Sequence, residues 1–298
     1  MDKPKTFVTV IIPFYNSEGF LAEAIDSVLT QTYTYWQLLI VDDGSAHAST
    51  SIARKYADAH PDKIIYLEHS GHANKGVGAT RNLGIAHAAA PYIAFLDHDD
   101  TWLPEKLEMQ VKLIEQYPQA GMFCEASEYW YSWENDSRQD EIIFVGKQHS
   151  GLYQPPLLLQ QLYPFGNGAA PCPCAVIVKK TVLVAIGGFE ESFIGTYQLY
   201  EDQVLLSKIY LQHSVYISTD CNNRYRQHST SAMAKIVAKG KYHKVRKYFL
   251  RYFETYLKTN GLYTTLTKQL LYEAWQPYGL KSQFKKILKK AAGYLKKI

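Results

Sequence analysis

The chain has no run of about 18 apolar residues, the length a membrane-spanning helix needs, so no helix of it is expected to cross a bilayer. Met1-Asp2-Lys3-Pro4-Lys5 leads straight into a strand-like segment without the apolar core of a signal peptide, which argues against export. Cysteine is scarce. Cys124, Cys172, Cys174 and Cys221 make no disulfide framework, and Cys172-Pro173-Cys174 is too tight and too solitary for a zinc site. A reducing cytoplasm fits. Basic residues are missing between Lys5 and Arg54, where a nucleotidyltransferase would carry a glycine-rich, basic phosphate loop; Pro13-Phe14-Tyr15-Asn16-Ser17-Glu18 stands there instead. Acid is missing from the end. Residues 281–298 hold seven lysines and no Asp or Glu, so the formal +4 becomes −3 for the residues before them. A mildly acidic globule without a binding module is no partner for nucleic acid.

At 298 residues and 47% hydrophobic, the chain can bury one large core with an appendage. Its centre is Tyr92-Ile93-Ala94-Phe95-Leu96, a short charge-free run suited to a strand buried on both faces of a parallel sheet. The run stops in Asp97-His98-Asp99-Asp100. Ligands bind beyond the carboxyl ends of strands in open α/β sheets, and carboxylates this close repel unless a cation sits among them. Divalent Mg²⁺ or Mn²⁺ favours such oxygen ligands. An Asp-rich turn capping the helix near Pro104 is the other reading, and these residues alone leave both open.

The rest of the first half supplies context. Phe7–Ile12 reads as a strand ended by Pro13, and Leu21, Ala24, Ile25, Val28 and Leu29 keep the spacing of a helix face. Leu38–Val41 is a second strand, running into Asp42-Asp43-Gly44-Ser45, with a helix from Ser49 or Thr50. Lys63–Leu67 is a third. The loop Asn74–Thr80 leads to a helix through Leu83 and Ala86, and another helix runs from Pro104 through Leu107, Val111 and Ile114. This alternation predicts right-handed βαβ crossovers and a doubly wound, mostly parallel α/β sheet. Three strands then end in polar clusters along one sheet edge, which points to a nucleotide site. Past Gly121 the pattern loosens, and from about Lys235 the chain turns helical and rich in Tyr and Lys. The expected division is 1–115, 116–234 as the second half of the same domain, and a helical basic tail over 235–298.

These segments resemble the family 2 glycosyltransferases from about Phe7 to His228. The likeness is an ordered series: Val10-Ile11-Ile12-Pro13-Phe14-Tyr15-Asn16, Val41-Asp42-Asp43-Gly44-Ser45, Asn74-Lys75-Gly76 with Arg81-Asn82-Leu83-Gly84-Ile85, Asp97-His98-Asp99, Gly188-Phe189-Glu190-Glu191, Glu201-Asp202 and Tyr225-Arg226-Gln227-His228. The resemblance implies a GT-A fold with a C-terminal helical extension. It also implies a nucleotide-diphosphate sugar donor, UDP by the family's habit, and a hydroxyl of a glycan or lipid-linked acceptor in cell-surface polysaccharide synthesis. By the same resemblance Pro13 and Tyr15 line the base pocket and Asp43 accepts hydrogen bonds from the base. Asp97 holds the ribose or assists the metal, and Asp99 binds the Mg²⁺ or Mn²⁺ that bridges the phosphates. Asp202 is the general base with Glu201 in support, and His228 closes over the diphosphate or metal. Arg226 beside His228 suits a diphosphate, and Arg81 and Lys75 serve the same charge or are solvated.

The chemistry asks for such groups. A leaving diphosphate gains charge that a metal neutralises without a proton. One carboxylate on the opposite face takes the acceptor's proton, which gives a single inverting displacement. Plainer roles stand beside these: Asp202 as an N-cap, His228 as a core histidine, Tyr15 as a strand-end aromatic. Asp100 reads as a cap for the Thr101–Pro104 turn, and His98 as filler or, from its place between the acids, as a group in reach of phosphate. The patch Tyr129–Trp133 fits an acceptor platform, a lipid-facing lid or core equally. Phe284, Ile287, Leu288 and Ala291 keep helical spacing among the tail lysines, as in a helix on the anionic inner face of the cell membrane, or one docked on the enzyme. The rival readings are a nucleotidyltransferase and a non-catalytic nucleotide-sugar-binding subunit.

Overall fold

The computed structural model describes residues 7–134, 138–146 and 149–279. The chain opens with β1 (Val8–Phe14), α1 (Leu21–Leu29), β2 (Trp36–Asp42), α2 (His47–Ala59), β3 (Ile64–Glu68), α3 (Val77–His87) and β4 (Tyr92–Phe95). The four strands pair in parallel in the order β3-β2-β1-β4. All of β1 is buried, and its two faces are used differently. Val8, Val10, Ile12 and Phe14 share an apolar cluster with Leu21, Ala24, Ile25 and Val28 of α1. Ile11 points the other way, where α3 comes so near that a Cβ on Gly84 would meet Ile11 Cγ2 at 2.8 Å. Helices therefore cover both faces, and the sheet is doubly wound.

Two local expectations are corrected. Pro13 does not end β1, for pairing continues through Pro13–Val41 and Phe14–Asp42. Its missing N–H faces the β4 side, where pairing has already stopped with Leu96 N donating to Ile11 O, so no ladder bond is lost. Neither Ser49 nor Thr50 starts α2, because both hydroxyls are engaged elsewhere. Ser49 Oγ accepts from Ser17 N (2.8 Å) and donates to Glu18 (2.7 Å), while Thr50 Oγ1 donates to Asp42 (2.6 Å).

Then follow β5 (Thr101–Trp102), α4 (Lys106–Gln116), β6 (Met122–Cys124), β7 (Ser127–Trp130), β8 (Glu141–Ile143), β9 (Gly151–Tyr153) and α5 (Leu157–Gln161). The first unit finishes with β10 (Val176–Lys179), α6 (Lys180–Ala185), α7 (Glu201–Gln212), β11 (Val215–Ile217), β12 (Asn223–Arg226) and α8 (Ala232–Ala238). β10, β6, β11 and β9 extend the large sheet to eight strands among the described residues, with β10 and β9 reversed. A second sheet has the order β5-β12-β7-β8. In it β12 lies antiparallel to β5, which directly follows the acid turn, so the chain beyond β12 is delivered to Asp97–Asp100. A buried ion pair anchors that return. Lys106 Nζ lies 3.0 Å from Glu125 Oε1, which also accepts from Asn222 N (2.9 Å) and Asn223 Nδ2 (2.8 Å).

The chain divides between Lys241 and Tyr242 into two compact units. Lys235, the expected start of the tail, falls inside α8 and so within the first unit. The second holds α9 (Tyr242–Thr259) and α10 (Thr265–Trp275). Val245, Phe249, Leu250, Phe253 and Leu257 form the buried stripe of α9, and Thr264 caps α10 in a reciprocal pair with Thr267. No described helix is long and apolar enough to cross a membrane. The amphipathic segment expected over 281–298 lies outside the described residues.

Candidate active site

The strand order creates a crevice. The chain winds outward from β1 to β3 and returns to β4 on the other side of β1, and open α/β sheets bind ligands beyond the carboxyl ends at such a switch. Two adjoining cavities of about 380 and about 750 Å³ lie there, sharing Pro13, Tyr15, Val77, His98, Gly195 and Gln198 in their walls.

The smaller one is built around Asp43. Its carboxylate accepts from Lys75 N (2.6 Å) and Gly76 N (3.0 Å), and Asn74 Nδ2 donates to its carbonyl at 2.9 Å. A carboxylate has about four acceptor positions, so capacity remains for a ligand. Asp42 points to the other face, where its carboxylate takes Ser45 N (2.8 Å), Thr50 Oγ1 (2.6 Å) and Tyr66 OH (3.0 Å). The turn between the two acids and Ser45 needs glycine. Gly44 has φ +75°, and a Cβ there would sit 2.8 Å from Asn74 N and from His72 O. Tyr15 is 49% exposed at the junction of the cavities.

Arg81, Asp97, Asp99, Glu201, Asp202 and His228 all line the larger cavity. The Arg81 guanidinium is buried and bridges Asp97 and Glu201, with Phe189 stacked 5.1 Å from it. Burial disfavours its charge, but the two carboxylates outweigh that and hold its pKa above the ordinary value. Asn82 next door clamps the Gly188–Glu191 turn, accepting from Phe189 N (2.9 Å) and donating to Phe189 O (3.0 Å) and Glu191 (2.9 Å). Two motifs far apart in sequence are thus one joint. Glu201 and Asp202 open α7. Burial raises Asp202 to about 6 despite donation from Gln203 N (2.7 Å) and Nε2 (3.1 Å), and burial likewise raises Glu201 against the pull of Arg81.

In the acid turn, His228 Nε2 lies 3.0 Å from Asp99 Oδ2, and its Nδ1 lies 2.6 Å from Thr230 Oγ1. Burial opposes ionisation of Asp99, yet His98 and His228 overcome it and hold the carboxyl at about 2. Asp100 is not a cap for Thr101–Pro104. Its side chain is fully buried and turns to the returning strand, accepting Arg226 N at 2.9 Å. Burial, with Asp99 and Asp97 beside it, pushes its carboxyl well above the usual range.

The sequence reading takes Arg226 to the diphosphate, but the structure sends its guanidinium elsewhere. It donates to Asp99 O (2.7 Å) and Glu23 (2.5 Å) inside a box of Phe20, Trp130 and Trp133 at 4.9, 4.4 and 4.8 Å. Trp130 and Trp133 of the aromatic patch are thereby committed to this box, while Tyr129 packs against Tyr225. Glu23 and Phe20 went unread, because nothing local links α1 to a strand so distant in sequence. His98, read as filler, lines both cavities. Lys235, Lys239 and Lys241 also line the larger one. Their signal was present in the sequence, since residues 221–253 contain no acid. Among the described residues no group of three or more His, Cys, Asp or Glu side chains is placed to hold a metal ion by itself.

The family model described as glycosyl transferase family 2 matches residues 9–187, more than half of the chain. An uncharacterized glycosyltransferase of Rickettsia prowazekii is 29% identical over 214 residues, 71% of this chain, which spans 63% of that relative's length. Escherichia coli WfgD, a UDP-Glc:alpha-D-GlcNAc-diphosphoundecaprenol beta-1,3-glucosyltransferase, is 37% identical over 107 residues, 36% of this chain and 40% of its own. Among solved structures, mannosyltransferase PcManGT from Pyrobaculum calidifontis, in complex with GDP-Man and Mn²⁺, has a TM-score of 0.63 at 19% identity, covering 96% of this chain and 75% of that one. S. aureus TarS in complex with UDP-GlcNAc has a TM-score of 0.55 at 18% identity, covering 90% and 79%. At those identities the structures speak for the fold, which is GT-A. The sequence match speaks for the family: the chain belongs to glycosyl transferase family 2.

Proposed function

We propose that the chain is a metal-dependent, inverting glycosyltransferase that moves a sugar from a UDP-linked donor to a hydroxyl of a glycan or lipid-linked acceptor, in cell-surface polysaccharide synthesis. The observation that carries the reading is one cavity whose walls hold Asp99 with His228 and also Asp202, opening at Tyr15 into the cavity of Asp43. WfgD, by its name, uses such a donor and a lipid-diphosphate acceptor.

The side chains divide the work. Tyr15 and Pro13 pack on the base, and Asp43 accepts from it while its own backbone partners hold it still. Asp97, fixed by Arg81, orients the ribose or supports the metal. Asp99 suits a hard cation: it is ionised over the whole working range, its side chain is 22% exposed, and such ions take one or two carboxylates plus substrate phosphates rather than a full protein cage. Asp99 would hold the Mg²⁺ or Mn²⁺ together with the donor's phosphates, with Asp97 or His228 assisting, and the ion would supply charge neutralisation at the leaving diphosphate. Asp202, raised to about 6, removes the acceptor's proton, with Glu201 and Arg81 fixing the first turn of α7 behind it. The segment 281–298 would rest on an anionic membrane surface at the cytoplasmic face, a proposal that stands on its sequence alone.

Thermal unfolding and donor hydrolysis test this with UDP-, GDP- and dTDP-sugars, each with and without Mn²⁺, on wild type and Asp99→Ala. One nucleotide sugar should stabilise the wild type with Mn²⁺, by about 2.7 kcal/mol at a hundred times its Kd, and fail on Asp99→Ala. No stabilisation by any donor would overturn the reading. Stabilisation without hydrolysis or transfer would leave a binding subunit.

A further inference from the structure

The larger cavity has a second chemical side. Lys235 of α8, and Lys239 and Lys241 just past it, reach its wall and are exposed. No acid lies between residues 221 and 253, and among the described residues no ion pair engages any of the three. Lysines scattered on an outer helix are ordinarily a solvated face. These three instead share one cavity with Asp97, Asp99, Glu201 and Asp202, so the charge changes sign across it. Met233 and Ile236 line the cavity beside them.

We propose that Lys235, Lys239 and Lys241 bind a phosphate or diphosphate carried by the acceptor. The inference rests on the glycosyltransferase reading and deepens it by naming the acceptor's chemistry. A neutral acceptor would gain nothing from the lysines. An acceptor with a hydroxyl at one end and a phosphate at the other is oriented by the gradient, its anionic end repelled by the carboxylates and drawn to α8. Its hydroxyl then faces Asp202. Lysine suits this task because three donors on a flexible stem can follow a phosphate whose position varies with the acceptor. Met233 and Ile236 give an attached lipid chain an apolar surface next to that phosphate.

The test uses the full-length chain saturated with UDP and Mn²⁺, so that the donor site is filled. Geranyl phosphate, inorganic phosphate and neutral geraniol are titrated into wild type and into the triple variant K235Q/K239Q/K241Q. Geranyl phosphate should bind the wild type, more weakly as salt rises, and bind the variant about tenfold or more weakly. UDP affinity and melting temperature should not change. Equal binding of inorganic phosphate would assign the site to the phosphate alone, and tighter binding of the geranyl ester would assign it to a lipid phosphate. Equal affinity in variant and wild type, or binding of geraniol as tight as that of its phosphate, would overturn the proposal. A variant that loses UDP instead would move the lysines to the donor. Failure of UDP to bind the wild type would strike the glycosyltransferase reading, while the phosphate titration would still read the lysines.

Discussion

Arg226 N donates to Asp100 Oδ1 at 2.9 Å across 126 positions of sequence, while its guanidinium holds Asp99 O at 2.7 Å. One residue of β12 thus fixes two consecutive members of the acid turn, and His228 follows it to reach Asp99. Asp100→Ala leaves a buried N–H without its partner and should cost about 1–3 kcal/mol in chemical denaturation. Arg226→Lys keeps the charge but cannot fill the aromatic box or fork between Glu23 and Asp99 O. It should lower the melting temperature and reduce donor turnover even with saturating Mn²⁺. Unchanged turnover in Arg226→Lys would show that the acid turn holds its shape alone.

As the proposed base, Asp202 should set the pH profile. A base must be ionised, and burial raises this carboxyl to about 6, so kcat/KM should be flat above that value and fall about tenfold per unit below it. The Gln203 side chain donates to the carboxylate and favours the ionised form, so Gln203→Ala should move the acid limb to higher pH. Asp202→Asn should lose about 10²–10⁴ in kcat with donor binding kept. An acid limb unmoved in Gln203→Ala would place the essential ionisation on another group.

Tyr15 is the exposed aromatic at the junction of the cavities. Base stacking on such a ring is worth about 1–3 kcal/mol, so Tyr15→Ala should raise the donor KM roughly 5- to 150-fold. Its kcat should hold, because the proposed contact is with the base and not with the reacting atoms. Isothermal titration with UDP reads the same loss directly.

Lys106 and Glu125 are both fully buried, 3.0 Å apart, and Glu125 also holds the start of β12. Removing one partner strands a buried charge, so Lys106→Met should cost about 3–5 kcal/mol. Replacing both charges with apolar residues should cost less than that single change. A denaturation series on the wild type and the two variants checks it.

Much of the site was legible before the fold. The alternation of Ile11 and Ile12 along β1, the helical spacing from Leu21 to Leu29 and the charge-free Tyr92–Leu96 all report local burial, which short-range periodicity records. Asp43, Asp97, Asp99, Asp202 and His228 stand in motifs at strand and helix ends, and all five line the crevice. The destinations of Arg81, Asp100 and Arg226 were not legible. Each is buried, and a buried polar side chain goes to whatever partner the fold brings within hydrogen-bond reach. For Arg81 that partner is Glu201, and for Arg226 it is Glu23.

The sequence by itself therefore determined the first four strands, the helix faces and the acids at the carboxyl edge, because each follows from residues within a few positions of one another, and the ordered series of such motifs determined the family. Tertiary structure alone decided how those acids are held. The short β5 and β12 pair because Asn222, Asn223 and Lys106 converge on Glu125, and that pairing, invisible to any local pattern, carries Arg226 and His228 to the acid turn.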